Sequence, residues 1–193
     1  MIVIKFGGHA MTDIEGLFAK AVQGALDLGE DCVIVHGGGP QIDAALKAEN
    51  IEPEFKGGYR VTSPKVFEVV QRVLTGQVLR TVVAQLRNAG LNAVGISGRD
   101  GGLLIARKLK SLVDGTLVDL GQVGEVVRVD TAILATLIDS GFLPVVSPIA
   151  TLGDETHENS DIGLNVNADL AAGAIAGALG ASTLIFMTDV PGI

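Results

Sequence analysis

The chain has 193 residues, of which 48% are apolar and 4% aromatic, and its net charge is −8. This length suits one large domain or one and a half ordinary ones, with a core of Val, Leu, Ile and Ala that fits a parallel sheet buried on both faces. The negative charge argues against nucleic acid as a partner, and the longest apolar runs are strand-length, too short to cross a membrane. Met1 is followed directly by Ile2-Val3-Ile4, with no basic leader, and the single Cys32 allows no disulfide within the chain. Both features fit a cytoplasmic protein.

In chain order, residues 2–6 read as a buried strand that ends in Lys5-Phe6-Gly7-Gly8. A helix is expected over 13–28, closed by Gly29. Residues 32–35 read as a second strand, running into His36-Gly37-Gly38-Gly39. Pro40 stands at a first helical position and opens a helix to about residue 49. Residues 52–62, with Gly57-Gly58 inside, predict a hairpin or flap that carries Arg60.

The 64–88 stretch is helical in pattern, with Val66, Val70, Val73, Leu74, Val78, Val82 and Leu86 on one face. Val69, Leu79 and Val83 widen that face beyond the needs of one sheet, which points to a partner chain across this helix. Residues 92–96 predict a strand, followed by a third glycine turn at Gly98-Arg99-Asp100-Gly101-Gly102. Residues 103–106 and 125–129 predict antiparallel β, with turns at Asp114-Gly115 and Gly121. A helix over 131–140 and a strand over 143–149 come next, then a polar loop over 153–161. Asn165-Val166-Asn167-Ala168-Asp169 precedes an Ala- and Gly-rich helix over 167–179, and residues 183–187 form the last strand. The alternation predicts a three-layer αβα sandwich with a mainly parallel central sheet. The chain ends in the turn after that strand, so the C-terminal part of the fold is expected beyond Ile193.

Two of the glycine loops lie where a strand enters a helix. Bare N–H groups and a positive helix end make each a seat for phosphate or carboxylate. Lys5 either meets an anion there or turns to solvent. Arg60 either grips a substrate carboxylate or is a solvated loop residue. Asn167 is a plausible N-cap, Asp169 a partner for Lys5, and Asn165 a donor to a ligand. His36 reads as structural, and His9 and His157 lack the spacing of a zinc site. Neither loop fits the Walker or dinucleotide-binding patterns.

Together and in this order, Lys5–Gly8, Val35–Pro40, Gly58–Thr62, Leu143–Ser147, Asn165–Asp169 and Thr188–Gly192 resemble the amino acid kinase family. The resemblance implies ATP-dependent phosphorylation of a carboxylate, with Mg²⁺ accompanying the ATP. The nearest pattern is that of members acting on the γ-carboxylate of N-acetyl-L-glutamate in arginine biosynthesis. It implies catalytic roles for Lys5, Gly8, Gly38 and Asp169, and acceptor binding by Gly38, Gly39, Arg60 and Asn165. The nucleotide would meet Gly7, Gly8 and the segment Thr188, Asp189, Val190, Pro191, Gly192 and Ile193. Residues 1–180 would form the acceptor lobe and 181–193 the start of a nucleotide lobe. A homodimer through the 64–88 helix is implied as well.

Three departures accompany the resemblance. His9 replaces a frequent Asn, the 153–161 loop is long and polar, and a second transition-state lysine is expected beyond the chain's end. Two other readings stay open: a kinase of carrier-protein-bound aminoadipate or glutamate in lysine biosynthesis, and a non-catalytic amino-acid-binding regulatory subunit.

Overall fold

The computed structural model describes residues 1–7, 16–154 and 158–187, the side chains of 158–160 aside. Five parallel strands form the central sheet: β1 (Ile2–Phe6), β2 (Cys32–His36), β5 (Ala93–Ser97), β8 (Leu143–Ser147) and β11 (Thr183–Met187). Their order is β11-β1-β2-β8-β5. Successive strand residues face opposite sides, and here both sides are apolar. Ile4, Phe6, Ile34 and Val145 join one core cluster. Val3, Val33, Val35 and Val146 join the other.

The first cluster packs under α1 (Leu17–Asp27), α2 (Gly39–Ala48), α3 (Pro64–Gln71) and α4 (Leu79–Asn88). The second is covered by α5 (Ala132–Asp139), α6 (Ala168–Leu179) and a small β unit. The three layers are therefore set by a two-sided hydrophobic sheet. Each helix ends where its sequence allows. Gly180, at φ +60°, closes α6, and Ser63 accepts a bond from the Val66 N–H to open α3.

Two expectations are corrected. The 143–149 stretch is not one strand. Pro148 supplies no N–H for a ladder, and the chain leaves the sheet there to begin β9 (Ile149–Gly153). The polar 153–161 stretch is not a loop throughout, because Glu158–Val166 is a strand, β10, antiparallel to β9. Its polar composition masks a register that the pairing makes plain. With β6 (Leu104–Lys108) and β7 (Val123–Val129), these strands close a four-stranded barrel in the order β10-β7-β6-β9. Residues 155–157, His157 among them, lie outside the described residues, as do residues 8–15 with His9.

The 64–88 helix carries a further correction. Between α3 and α4 the backbone takes a seven-residue π-helical segment, Arg72–Val78. A π turn holds more than the 3.6 residues of an α turn, so it resets the phase of the apolar face. Val69 and Leu79 are thereby both 1% exposed and belong to the chain's own core, with Val83 packed against it. The apolar surplus expected to face a partner chain is internal.

Candidate active site

The C-terminal ends of β1 and β2, the flap, the barrel rim and the start of α6 surround one cavity of about 320 Å³. Its lining brings together Lys5, Gly38, Gly39, Arg60, Asn165 and Asp169. Residues from near both ends of the sequence therefore meet at one place. Open α/β sheets place ligands there, beyond the carboxyl ends of their strands.

Lys5 ends in an ion pair with Asp169, Nζ to Oδ1 at 3.0 Å, and its side chain is 17% exposed. The burial explains the pairing, since an ammonium drawn from water needs a counter-charge. Asp169 stands in the first turn of α6, whose N-terminus is capped by Asn167. The Asn167 Oδ1 accepts from the N–H groups of Asp169 and Leu170. The contrast with α2 is informative. Its N-cap position, Gly38, makes no side-chain cap, and Pro40 lacks an N–H. The positive end of α2, with no side-chain cap, borders the cavity.

The glycines divide by purpose. A Cβ on Gly38 would stand 2.7 Å from Leu74 Cδ2 and 3.2 Å from Val78 Cγ2, so Gly38 lets the loop press against the π segment. A Cβ on Gly39 would meet nothing within 4 Å. Gly7 lies beneath Lys5, whose Nζ would be 2.7 Å from a Cβ there. The third loop does not reach the cavity. A Cβ on Gly98 would come 2.5 Å from the Ile149 carbonyl oxygen, so that glycine serves packing between β5 and the barrel.

Arg60 sits on the short hairpin of β3 (Phe55–Lys56) and β4 (Tyr59–Arg60), which fulfils the flap expectation. It is not solvated. Its side chain is 7% exposed and donates to Asp43 Oδ1 at 2.6 Å, while its guanidinium carbon lies 4.6 Å over the Phe55 ring. A stacked, paired guanidinium is a fixed one. Sequence reasoning does not reach Asp43 or Phe55 as site residues, nor Thr62. Thr62 is wholly buried, donates to the Arg60 carbonyl at 2.8 Å and accepts from Asn165 Nδ2 at 3.2 Å. Period two along an extended chain is a usable signal for Thr62, because residues 60 and 62 share a side.

His36 is structural, as expected. It is fully buried, and its Nδ1 lies 2.7 Å from the Gly37 carbonyl oxygen, to which the neutral ring donates. Burial pushes its pKa down to about 4, with the Arg80 charge adding to the effect. His36 is therefore neutral at pH 7. Among the described residues, no three His, Cys, Asp or Glu side chains stand together as a metal site. Gly8 and Thr188 to Ile193 lie outside the described residues. Also among the described residues, no helix is long and apolar enough to cross a membrane.

Glycine turns at strand ends, a helix N-terminus without a side-chain cap and two cations, each held by a carboxylate, thus meet at one cavity of an α/β protein with a mainly parallel sheet. The chain belongs to the amino acid kinase family, whose profile matches residues 1–193. It is 49% identical over 198 residues to the acetylglutamate kinase of Paenarthrobacter aurescens, covering all of this chain and 63% of that protein. The acetylglutamate kinase of Methanopyrus kandleri is 46% identical, with all of this chain and 73% of that protein covered. The chain thus spans about three-fifths to three-quarters of the curated relatives it matches. Among solved structures, smu.665 from Streptococcus mutans superposes with a TM-score of 0.85 at 29% identity, over 98% of this chain and 72% of that one. Giardia carbamate kinase, at 16% identity and a TM-score of 0.63 over 98% of this chain and 74% of that one, shares the fold.

Proposed function

We propose that this chain carries the acceptor site of an acetylglutamate kinase, which phosphorylates the γ-carboxylate of N-acetyl-L-glutamate with ATP on the route to arginine. The observation that carries this reading is the charge pairing. Asp169, a carboxylate lining the cavity, is held by Lys5, and Asp43 beside it is held by Arg60. Among the described residues each of these carboxylates is already engaged by a cation, while Lys5 and Arg60 keep N–H donors beyond the one each gives its partner. An acceptor with two carboxylates and an acylated nitrogen fits that balance, whereas a free amino acid loses its ammonium partner. The 46–50% identity to curated acetylglutamate kinases supports the same choice.

In this reading Arg60 and Asn165 hold the acceptor, and the N–H groups of Gly38 and Gly39 lie along the reacting carboxylate. That carboxylate is already ionised at pH 7 and needs no base. This agrees with a His36 that is buried and committed to Gly37. When bound, ATP supplies the phosphoryl group, and Mg²⁺ offsets its charge. The donors fit such a group: Lys5 and the open α2 N-terminus point positive charge at one region, which is how phosphoryl transfer is accelerated. Asp169 orients Lys5. Gly7, Gly8 and Thr188 to Ile193 meet the nucleotide. Residues 1–180 form the acceptor lobe and 181–193 open the nucleotide lobe. A cytoplasmic homodimer belongs to this reading, but it no longer draws on Val69 and Leu79. Sedimentation velocity decides it. No observation favours a carrier-protein kinase or a non-catalytic subunit.

The test is ADP release by the natural gene product, with N-acetylglutamate, glutamate and aspartate as rival acceptors. N-acetylglutamate should be used with the highest kcat/KM. Equal use of free glutamate would remove the charge-pairing basis of the reading.

A further inference from the structure

We infer that Thr62 is a positioning residue that ties the backbone of the flap at Arg60 to the Asn165 side chain, so that the two acceptor-holding residues share one frame. This rests on the acceptor reading above. Arg60 and Asn165 lie on different units, the flap hairpin and β10 of the barrel. The Thr62 hydroxyl joins them, donating to the Arg60 carbonyl and accepting from the Asn165 amide. One hydroxyl thus gives its hydrogen to one residue and a lone pair to the other.

The backbone of Thr62 is held just as firmly. Its N–H donates to the Leu120 carbonyl at 2.9 Å, and its own carbonyl accepts from the Gln122 N–H at 2.6 Å. The Gln122 carbonyl in turn accepts from the Asn165 N–H at 2.8 Å, and the Gln122 side-chain amide donates to the Gly163 carbonyl at 2.9 Å. Gly121 makes this approach possible. At φ +71° a Cβ there would lie 2.3 Å from the Thr62 carbonyl oxygen.

The consequence is directional. Asn165 has two amide hydrogens and one carbonyl. With Thr62 taking one hydrogen, the rotamer and the sense of the amide are fixed before any ligand arrives. Ordering that would otherwise accompany binding is already done.

The test compares Thr62→Val, which keeps the shape and removes the hydroxyl, with Thr62→Ser, which restores it. On the natural gene product, Thr62→Val should raise the KM for N-acetylglutamate about tenfold, as expected for one lost buried hydrogen bond. The KM for ATP should stay within about twofold, and Thr62→Ser should recover most of the acceptor KM. A Thr62→Val protein with unchanged acceptor KM, or with both KM values raised alike, overturns the inference. A second readout is independent of the acceptor's identity: the side-chain amide NMR signals of Asn165, assigned through Asn165→Asp. They should move in Thr62→Val and return in Thr62→Ser, and signals that stay in place overturn the inference. Wild-type protein that ignores N-acetylglutamate while these signals respond would sink the proposed function and leave Thr62 as the residue that sets Asn165.

Discussion

The two ends of the cavity are built differently. At the end that the proposed function gives to the acceptor, Arg60 is 7% exposed, paired with Asp43, stacked on Phe55 and joined through its carbonyl and Thr62 to Asn165. At the end that the proposed function gives to the phosphoryl group, Lys5 pairs, among the described residues, with Asp169, which is 52% exposed, beside a helix N-terminus with no side-chain cap. One end is tied on several sides before ligand arrives, and the other is held more loosely, through an ion pair whose carboxylate is half exposed. The difference matches two tasks. In the proposed function, recognition of a small acid is strengthened when the binding groups are ordered in advance, while the transferring group needs a cation with N–H donors left beyond its ion pair.

The sharpest way to break this comparison is at Lys5. If its charge acts in the transition state, Lys5→Ala should lower kcat by on the order of 10²–10³ and change the acceptor KM little. Steady-state ADP release measures both. A kcat close to wild type would mean that the loosely held end does no catalytic work. The opposite split is expected at the rigid end. Arg60→Ala should raise the acceptor KM by roughly 10- to 100-fold, the range for a lost hydrogen bond to a charged group, and leave the ATP KM nearly unchanged. Equal damage to both substrates would erase the distinction between the ends.

His36 closes β2 and holds the carbonyl of Gly37, a residue that lines the cavity. Its folded pKa of about 4 stands below the ordinary 6.5. The unfolded chain therefore takes up a proton as pH falls through 6.5, while the folded chain resists until about 4. Stability contributed by the neutral ring is present above 6.5 and is lost as pH falls toward 4. Between pH 7 and pH 5 this amounts to about 2 kcal/mol. His36→Asn, which keeps a donor for Gly37 and does not titrate, should flatten that part of the stability curve in urea melts at a series of pH values. An unchanged slope would assign the acid sensitivity elsewhere.

Much of this is legible in the chain itself, for physical reasons. The two-sided apolar strands, alternating with helices, foretell the parallel sheet, because parallel sheets are covered on both faces and read as continuous apolar runs. The meeting of Lys5 with Asp169 is also readable, from the need of a strand-end ammonium for a counter-charge. What escapes is set by tertiary geometry. Val69 and Leu79 look surplus on an ideal helix, whereas the π segment turns them inward. The partner of Arg60 is hidden because Asp43 lies on another element. The β10 strand is hidden because its apolar residues are few and its stability comes from pairing with β9.

The smallest expected effect tests how loosely the phosphoryl end is held. Asn167 caps α6 and so fixes the turn that presents Asp169 to Lys5. Asn167→Ala should cost about 1 kcal/mol of stability, as for other lost N-caps. It also frees the first-turn N–H groups of Asp169 and Leu170 and lets the Asp169 carboxylate wander. Because Gly7 still lies beneath the Lys5 side chain, its Nζ should stay near its place. The comparison therefore predicts a modest fall in kcat, about two- to fivefold, with the acceptor KM unmoved. Asn167→Asp should keep both stability and kcat, since a carboxylate caps as well as an amide. If Asn167→Ala instead cut kcat as deeply as Lys5→Ala, the phosphoryl end would be as tightly preset as the acceptor end, and the contrast between them would fall.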